Sequence, residues 1–190
     1  MLSRRAVLNA VTAMSAVGLS TLAAAAGDAA EQAKAGSPLP AGVQLPILAF
    51  VYECDVTLSD AEDFGVTAEG HRRIIPITGG SFKGPELRGQ VLSGGADWNL
   101  ARSDGTRSVE AAYYLRTDDS VILRIVNKGV GGGVRREDPE TGERFFMFTT
   151  PTFEAPAGKY EWMNHTSFVA TLGARRDAKN AVLIRVFRLV

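Results

Sequence analysis

The chain is short of the residues that most often build a metal or thiol site. It has 190 residues but one cysteine, Cys54, so no disulfide can form within it. Cys54 sits in the apolar run Ala49-Phe50-Val51-Tyr52-Glu53-Cys54 and reads as a small buried hydrophobe. A nucleophilic role would need a nearby base, and His71 and His165 are the only histidines. Two histidines without a metal-spaced carboxylate or thiol cluster do not make the usual zinc set, so no metal and no cofactor is expected. Charge of one sign is also lacking: 21 basic residues face 21 acidic ones. Bulk charge therefore recruits neither nucleic acid nor an anionic membrane. No run of a dozen residues shows a convincing helical period. No phosphate-binding Gly-Lys-Ser/Thr occurs either. The run Gly129-Val130-Gly131-Gly132-Gly133 has Val134 where a dinucleotide fingerprint needs glycine, and Arg135-Arg136-Glu137-Asp138-Pro139 follows instead of a helix. That run reads as a loop, able to act as a lid over a cavity.

The N-terminus lacks acidic residues before Asp28. What it has is Ser3-Arg4-Arg5-Ala6-Val7-Leu8, then an uncharged Ala-rich stretch ending in Ala24-Ala25-Ala26. This is the pattern of a twin-arginine signal peptide over residues 1–26, with small residues for cleavage. The expectation is a cytoplasmic precursor, passed by the twin-arginine machinery to the periplasm or outside the cell. Alanine, serine, threonine and glycine make the segment too weakly apolar for a stable membrane span. Without Arg4 and Arg5 the charge balance is about −2. Residues 27–42, rich in Ala, Gly and Pro, read as a linker.

From residue 43 the pattern is β. Apolar runs at Leu45–Leu58, His71–Thr78, Leu87–Leu92, Trp98–Arg102, Ser108–Thr117, Val121–Lys128, Arg144–Thr150, Thr166–Ala174 and Ala181–Val190 alternate with turn residues. Asp118-Asp119-Ser120 reads as a hairpin turn. Links this short make antiparallel neighbours, because parallel pairing needs long crossovers. The expected fold is all-β: a single antiparallel β-barrel over residues 43–190, with a sandwich as the alternative. The last run looks apolar on both faces, which a subunit interface in a homo-oligomer would accommodate.

Polar and aromatic residues embedded in these runs are the candidate site: Glu53, Asp97, Trp98, Tyr113, Arg116, Arg124, Asn127, Trp162 and Asn164. A small barrel lumen lined by such groups would hold a small organic ligand. Buried charges need a partner, protein or ligand. Asp97 stands out because Gly94-Gly95 lets backbone approach closely beside it.

Several segments resemble the domain-of-unknown-function family 3237. They are Gly79-Gly80-Ser81-Phe82-Lys83-Gly84-Pro85-Glu86-Leu87-Arg88-Gly89, running into Val91-Leu92-Ser93-Gly94-Gly95-Ala96-Asp97-Trp98, then Tyr114-Leu115-Arg116-Thr117-Asp118-Asp119 and Asn127-Lys128-Gly129-Val130. Pro151-Thr152-Phe153-Glu154, Tyr160-Glu161-Trp162-Met163-Asn164 and Phe168-Val169 continue the likeness. The resemblance implies a compact β-barrel and no general assigned activity. Two positions depart from the pattern: Ala112 stands where arginine is expected, and Ser120 where glycine is usual.

Three functions fit. In a ligand-binding barrel, Asp97, Arg116, Asn127 and Asn164 would orient the polar end of a small molecule, and Trp98, Tyr113 and Trp162 would pack its body. In a cofactor-free isomerase, cyclase or lyase, Asp97 would be the general acid or base and Arg116 would stabilise negative charge. In a structural domain, the apolar strands would form an oligomer interface.

Overall fold

A computed structural model describes residues 40–131, 136–137, 144–174 and 180–190. The signal-peptide segment, most of the linker, and Gly132 and Gly133 of the glycine run lie outside the described residues. Pro46–Val190 forms one compact unit.

Its strands are β1 (Leu48–Leu58), β2 (Glu62–Thr67), β3 (Gly70–Lys83), β4 (Arg88–Val91), β5 (Gly95–Ala101), β6 (Arg107–Thr117), β7 (Ile122–Gly131), β8 (Arg136–Glu137), β9 (Arg144–Glu154), β10 (Phe168–Ala174) and β11 (Ala181–Leu189). A 3-10 turn, Glu161–His165, precedes β10. Every pairing is antiparallel, in the order β1-β11-β10-β9-β7-β6, then β4 and β5 side by side along β3, and back to β1. Because β4 and β5 share one place in the ring, the barrel is closed with 8 strand positions. The alternative of two stacked sheets is thereby set aside. β2 extends β3 outside the ring, and β8 pairs with β9.

Strand alternation sets the inside. On β6, Val109, Tyr113, Leu115 and Thr117 are buried, and Glu110, Tyr114 and Arg116 are exposed. On β7, Leu123, Ile125 and Asn127 are buried, and Arg124 and Lys128 are exposed. β7 also runs to Gly131, so the glycine run expected as a loop begins as strand: Val109, Ser108 and Arg107 pair with Gly129, Val130 and Gly131.

β3 changes partners at Gly79-Gly80. Gly80 has φ +136°, and a Cβ there would lie 1.9 Å from the Asp55 carbonyl oxygen. Only glycine lets β1 and β3 come this close, and this contact closes the barrel. Cys54 is fully buried, and burial pushes its thiol far above the usual range.

The two ends of the barrel differ. At one end Tyr52, Leu115, Leu123, Ile125 and Met163 are fully buried. Tyr52 packs edge-on against Phe82 (5.5 Å between centroids) and Phe153 (6.3 Å), and Phe153 against Phe168 (4.7 Å). Each such side chain contributes about 1.5–3 kcal/mol by burial, so this end anchors the fold. The other end is hollow.

Candidate functional site

A cavity of about 430 Å³ occupies the hollow end. Its size suits a small organic molecule. Its wall has two sides. β1, β9, β10 and β11 supply Val56, Met147, Leu172, Val182 and Ile184, all apolar. β5, β6 and β7 supply Asp97, Asn99, Arg107, Tyr113 and Asn127. Cross-strand register explains the polar side: Asp97 lies opposite Ala111, and Ala111 lies opposite Asn127. These three residues form one belt inside the ring, and the small Ala111 leaves room between the two polar side chains.

Asp97 is half-buried and held from two directions. Its Oδ1 accepts the backbone N–H of Glu110 at 3.0 Å, and its Oδ2 accepts Asn99 Nδ2 at 3.3 Å. Asn99 Oδ1 in turn accepts from Arg73 Nη2 at 3.2 Å. The ladder between β5 and β6 has no paired residues between Asp97↔Ala111 and Leu100↔Ser108, and the Asp97 carboxylate takes up a backbone donor in that gap. Burial raises the Asp97 carboxyl above the ordinary carboxylate range. The Glu110 N–H, the Asn99 amide and the Arg73 charge pull the other way and only partly offset it. Burial also pushes the Tyr113 hydroxyl well above its usual range, so it stays neutral.

Asn127 is 3% exposed, and among the described residues its Oδ1 has no hydrogen-bond partner. A buried carbonyl oxygen without a donor costs about 1–3 kcal/mol. It lines the cavity, so a molecule there could supply the missing donor.

Of the seven ligand residues expected from sequence, the structure brings Asp97, Tyr113 and Asn127 together in the cavity wall. The other four lie elsewhere. Trp98 follows Asp97 on a strand, so it must face the other way; it is 44% exposed on the outer surface. Arg116 is likewise on the outer face of β6, in a shallow groove with Lys83 and Arg88. It does not meet Asp97; the cation linked to Asp97 is Arg73, through Asn99. Trp162 is at the packed end, against Phe168 (5.9 Å) and beneath the Arg188 guanidinium (5.0 Å). Asn164 clamps Ala155, accepting its N–H at 2.7 Å and donating to its carbonyl at 2.8 Å. Glu53 and Arg124 also serve the exterior, Glu53 pairing with Arg185 (3.3 Å) and Lys83 (3.4 Å), and Arg124 with Glu154 (3.6 Å). Arg73, Asn99, Arg107 and Ala111 were missed. Their signal was period-two spacing from the others: Asn99 two after Asp97, and Ala111 two before Tyr113. Among the described residues no group of three or more His, Cys, Asp or Glu is placed to hold a metal ion.

These features define a small antiparallel β-barrel with one packed end and one hollow, partly polar end. The chain belongs to the family described as "Protein of unknown function (DUF3237)", which matches residues 46–189. It is 31% identical to a UPF0311 protein of Rhodopseudomonas palustris over 67% of this chain and 88% of that protein. A crystal structure of a β-barrel-like protein from Acinetobacter baumannii superposes with a TM-score of 0.67 at 30% identity, covering 80% of this chain and all (100%) of that one. A hydroalkoxylation enzyme of Penicillium herquei is 21% identical over 64% of this chain and 71% of its own length. The crystal structure of an enzyme from Penicillium herquei shares the fold, with a TM-score of 0.61 at 19% identity over 80% of this chain and all (100%) of that one.

Proposed function

We propose that the hollow end of the barrel binds a small, largely apolar organic molecule. The observation that carries this reading is the buried, partnerless Asn127 Oδ1 in the wall of a cavity whose opposite side is hydrocarbon. Tyr52 Oη and Thr149 Oγ1 are also buried without a partner among the described residues, but of these three only the Asn127 oxygen belongs to a residue that lines the cavity, where a ligand can complete it. The test is a thermal-shift screen of the purified protein against a panel of small organic molecules. A shift of several degrees with one chemical class, lost in Asn127→Leu, is expected. No shift with any class would sink the reading.

A second reading adds chemistry at the same place, with Asp97 as general acid or base. It is favoured by a carboxyl held in a cavity by two donors with its proton affinity raised by burial. The distant relative named as a hydroalkoxylation enzyme gives the reaction class a concrete form. Adding an alcohol across an alkene forms a C–O bond, breaks the C=C π bond and moves one proton from oxygen to carbon. One acid–base group is enough, and no redox partner is needed. Incubating the protein with an alkenol panel in D2O should place one deuterium on carbon, and Asp97→Asn should abolish this. Absence of carbon-bound deuterium across the panel would remove the catalytic reading and leave the binding one standing.

Export through the twin-arginine route is proposed from Arg4 and Arg5. Replacing both with lysine in a reporter fusion should leave the reporter in the cytoplasm; continued export would point to the general secretory route.

A further inference from the structure

We infer that the molecule selected by the cavity is neutral, with a hydroxyl on one edge of an otherwise hydrocarbon body, and that this hydroxyl pairs with Asn127. This rests on the binding reading above and names its ligand class. The division of the wall is the first ground. Among the described residues, β1, β9, β10 and β11 line the cavity with side chains of carbon and sulfur, while β5, β6 and β7 carry the polar groups. A ligand lying across the barrel must therefore be apolar on one edge and polar on the other.

The second ground is the balance of donors and acceptors. Asn127 Oδ1 can only accept, and none of the described residues donates to it. Two strands away, Asp97 also presents acceptors, each oxygen having one donor from the protein. A ligand carboxylate set between them would add acceptors where donors are missing; the cation of this wall, Arg107, is exposed at the start of β6, four residues away from Ala111 and the belt. A bare hydrocarbon would leave Oδ1 as it is. A hydroxyl donates to Oδ1, and its own lone pairs can accept from the neutral Tyr113 hydroxyl or from Asn127 Nδ2. Ala111 lies between Asp97 and Asn127 in register, and its single methyl leaves space for the hydroxyl-bearing carbon.

Three probes of one skeleton separate these cases: 4-cyclohexylphenol, cyclohexylbenzene and 4-cyclohexylbenzoate. Dissociation constants would be measured by equilibrium dialysis with the full-length protein near neutral pH. The phenol should bind about tenfold more tightly than the hydrocarbon, the worth of one hydrogen bond to a buried acceptor, and more tightly than the benzoate. Asn127→Leu should remove the advantage of the phenol and retain hydrocarbon binding. A benzoate that binds best, a hydrocarbon equal to the phenol, or a preference that survives Asn127→Leu overturns the ligand class while leaving the cavity a binding site. Failure of all three probes to bind overturns both. The ranking in the unaltered protein decides the question even where the leucine variant fails to fold.

Discussion

The Asp97 carboxylate accepts the backbone N–H of Glu110 at 3.0 Å, across a gap in the ladder between β5 and β6. A side chain thus does part of a strand's work and is tied to the barrel wall while facing the cavity. Asp97→Ala would leave the Glu110 N–H and the Asn99 amide without this acceptor. We predict a loss of about 1–3 kcal/mol, read by urea denaturation. Asp97→Asn keeps an acceptor and should cost less than half as much.

The same carboxyl sets a pH dependence. Its proton affinity is higher in the folded than in the unfolded state. As pH rises from the ordinary carboxylate range through the raised folded value, the unfolded chain has already lost its proton while the folded one keeps it. Stability therefore falls across that window and is level above it. Asp97→Asn should lack this fall, so the variant gains on the parent as pH rises. A stability difference that does not change with pH would contradict this.

Asp119 works in the opposite sense. Lys159 Nζ donates to it at 2.8 Å and the Tyr160 hydroxyl at 2.9 Å, and Lys159 first, then the Thr117 hydroxyl, then Tyr160 hold its carboxyl well below the usual range. Its contribution is complete above the unfolded carboxylate pKa and is lost as pH falls through the folded value. Asp119→Asn should lower the melting temperature at pH 7, with the difference shrinking in strong acid. An unchanged melting temperature at pH 7 would show that solvent screens the cluster fully.

Asn164 and Ala155 exchange two hydrogen bonds at the packed end of the barrel. Asn164→Ala should cost about 2 kcal/mol, at roughly 1 kcal/mol for each bond. Ligand affinity should be unchanged, because the cavity is at the other end. A variant that loses binding while keeping its stability would reverse this assignment.

Ala111→Phe should fill the space between Asp97 and Asn127. We expect at least a tenfold loss of affinity for any ligand found in the thermal-shift screen, with an unaltered β-sheet circular dichroism spectrum. Undiminished binding would place the ligand elsewhere, for example in the outer groove beside Trp98 and Phe148.

Ser120 shows how a local departure is absorbed. It stands where the family resemblance implies glycine, and it adopts φ +68° in the turn between β6 and β7. The turn was legible from Asp118-Asp119-Ser120. The salt bridge from Asp118 to Arg88 (3.2 Å) and the Asp119 contacts with Lys159 and Tyr160 were not, since those partners come from distant segments.

The amino-acid order alone determined that this chain is built of strands. Period-two runs and short turn links are local properties, and they leave antiparallel pairing as the outcome. Strand alternation also implied that Asp97 and Trp98 face opposite ways, as neighbours on a regular strand do, although the linear reading places both in the lumen. Which of the two faces inward was a tertiary decision, set by closure of β1 onto β3 at Gly80 and by the register that aligns Asp97, Ala111 and Asn127. Burial is a property of the closed ring, so tryptophans that look like ligand packing in a linear reading lie at the packed end and on the outer wall, and the polar belt appears only once eight positions meet.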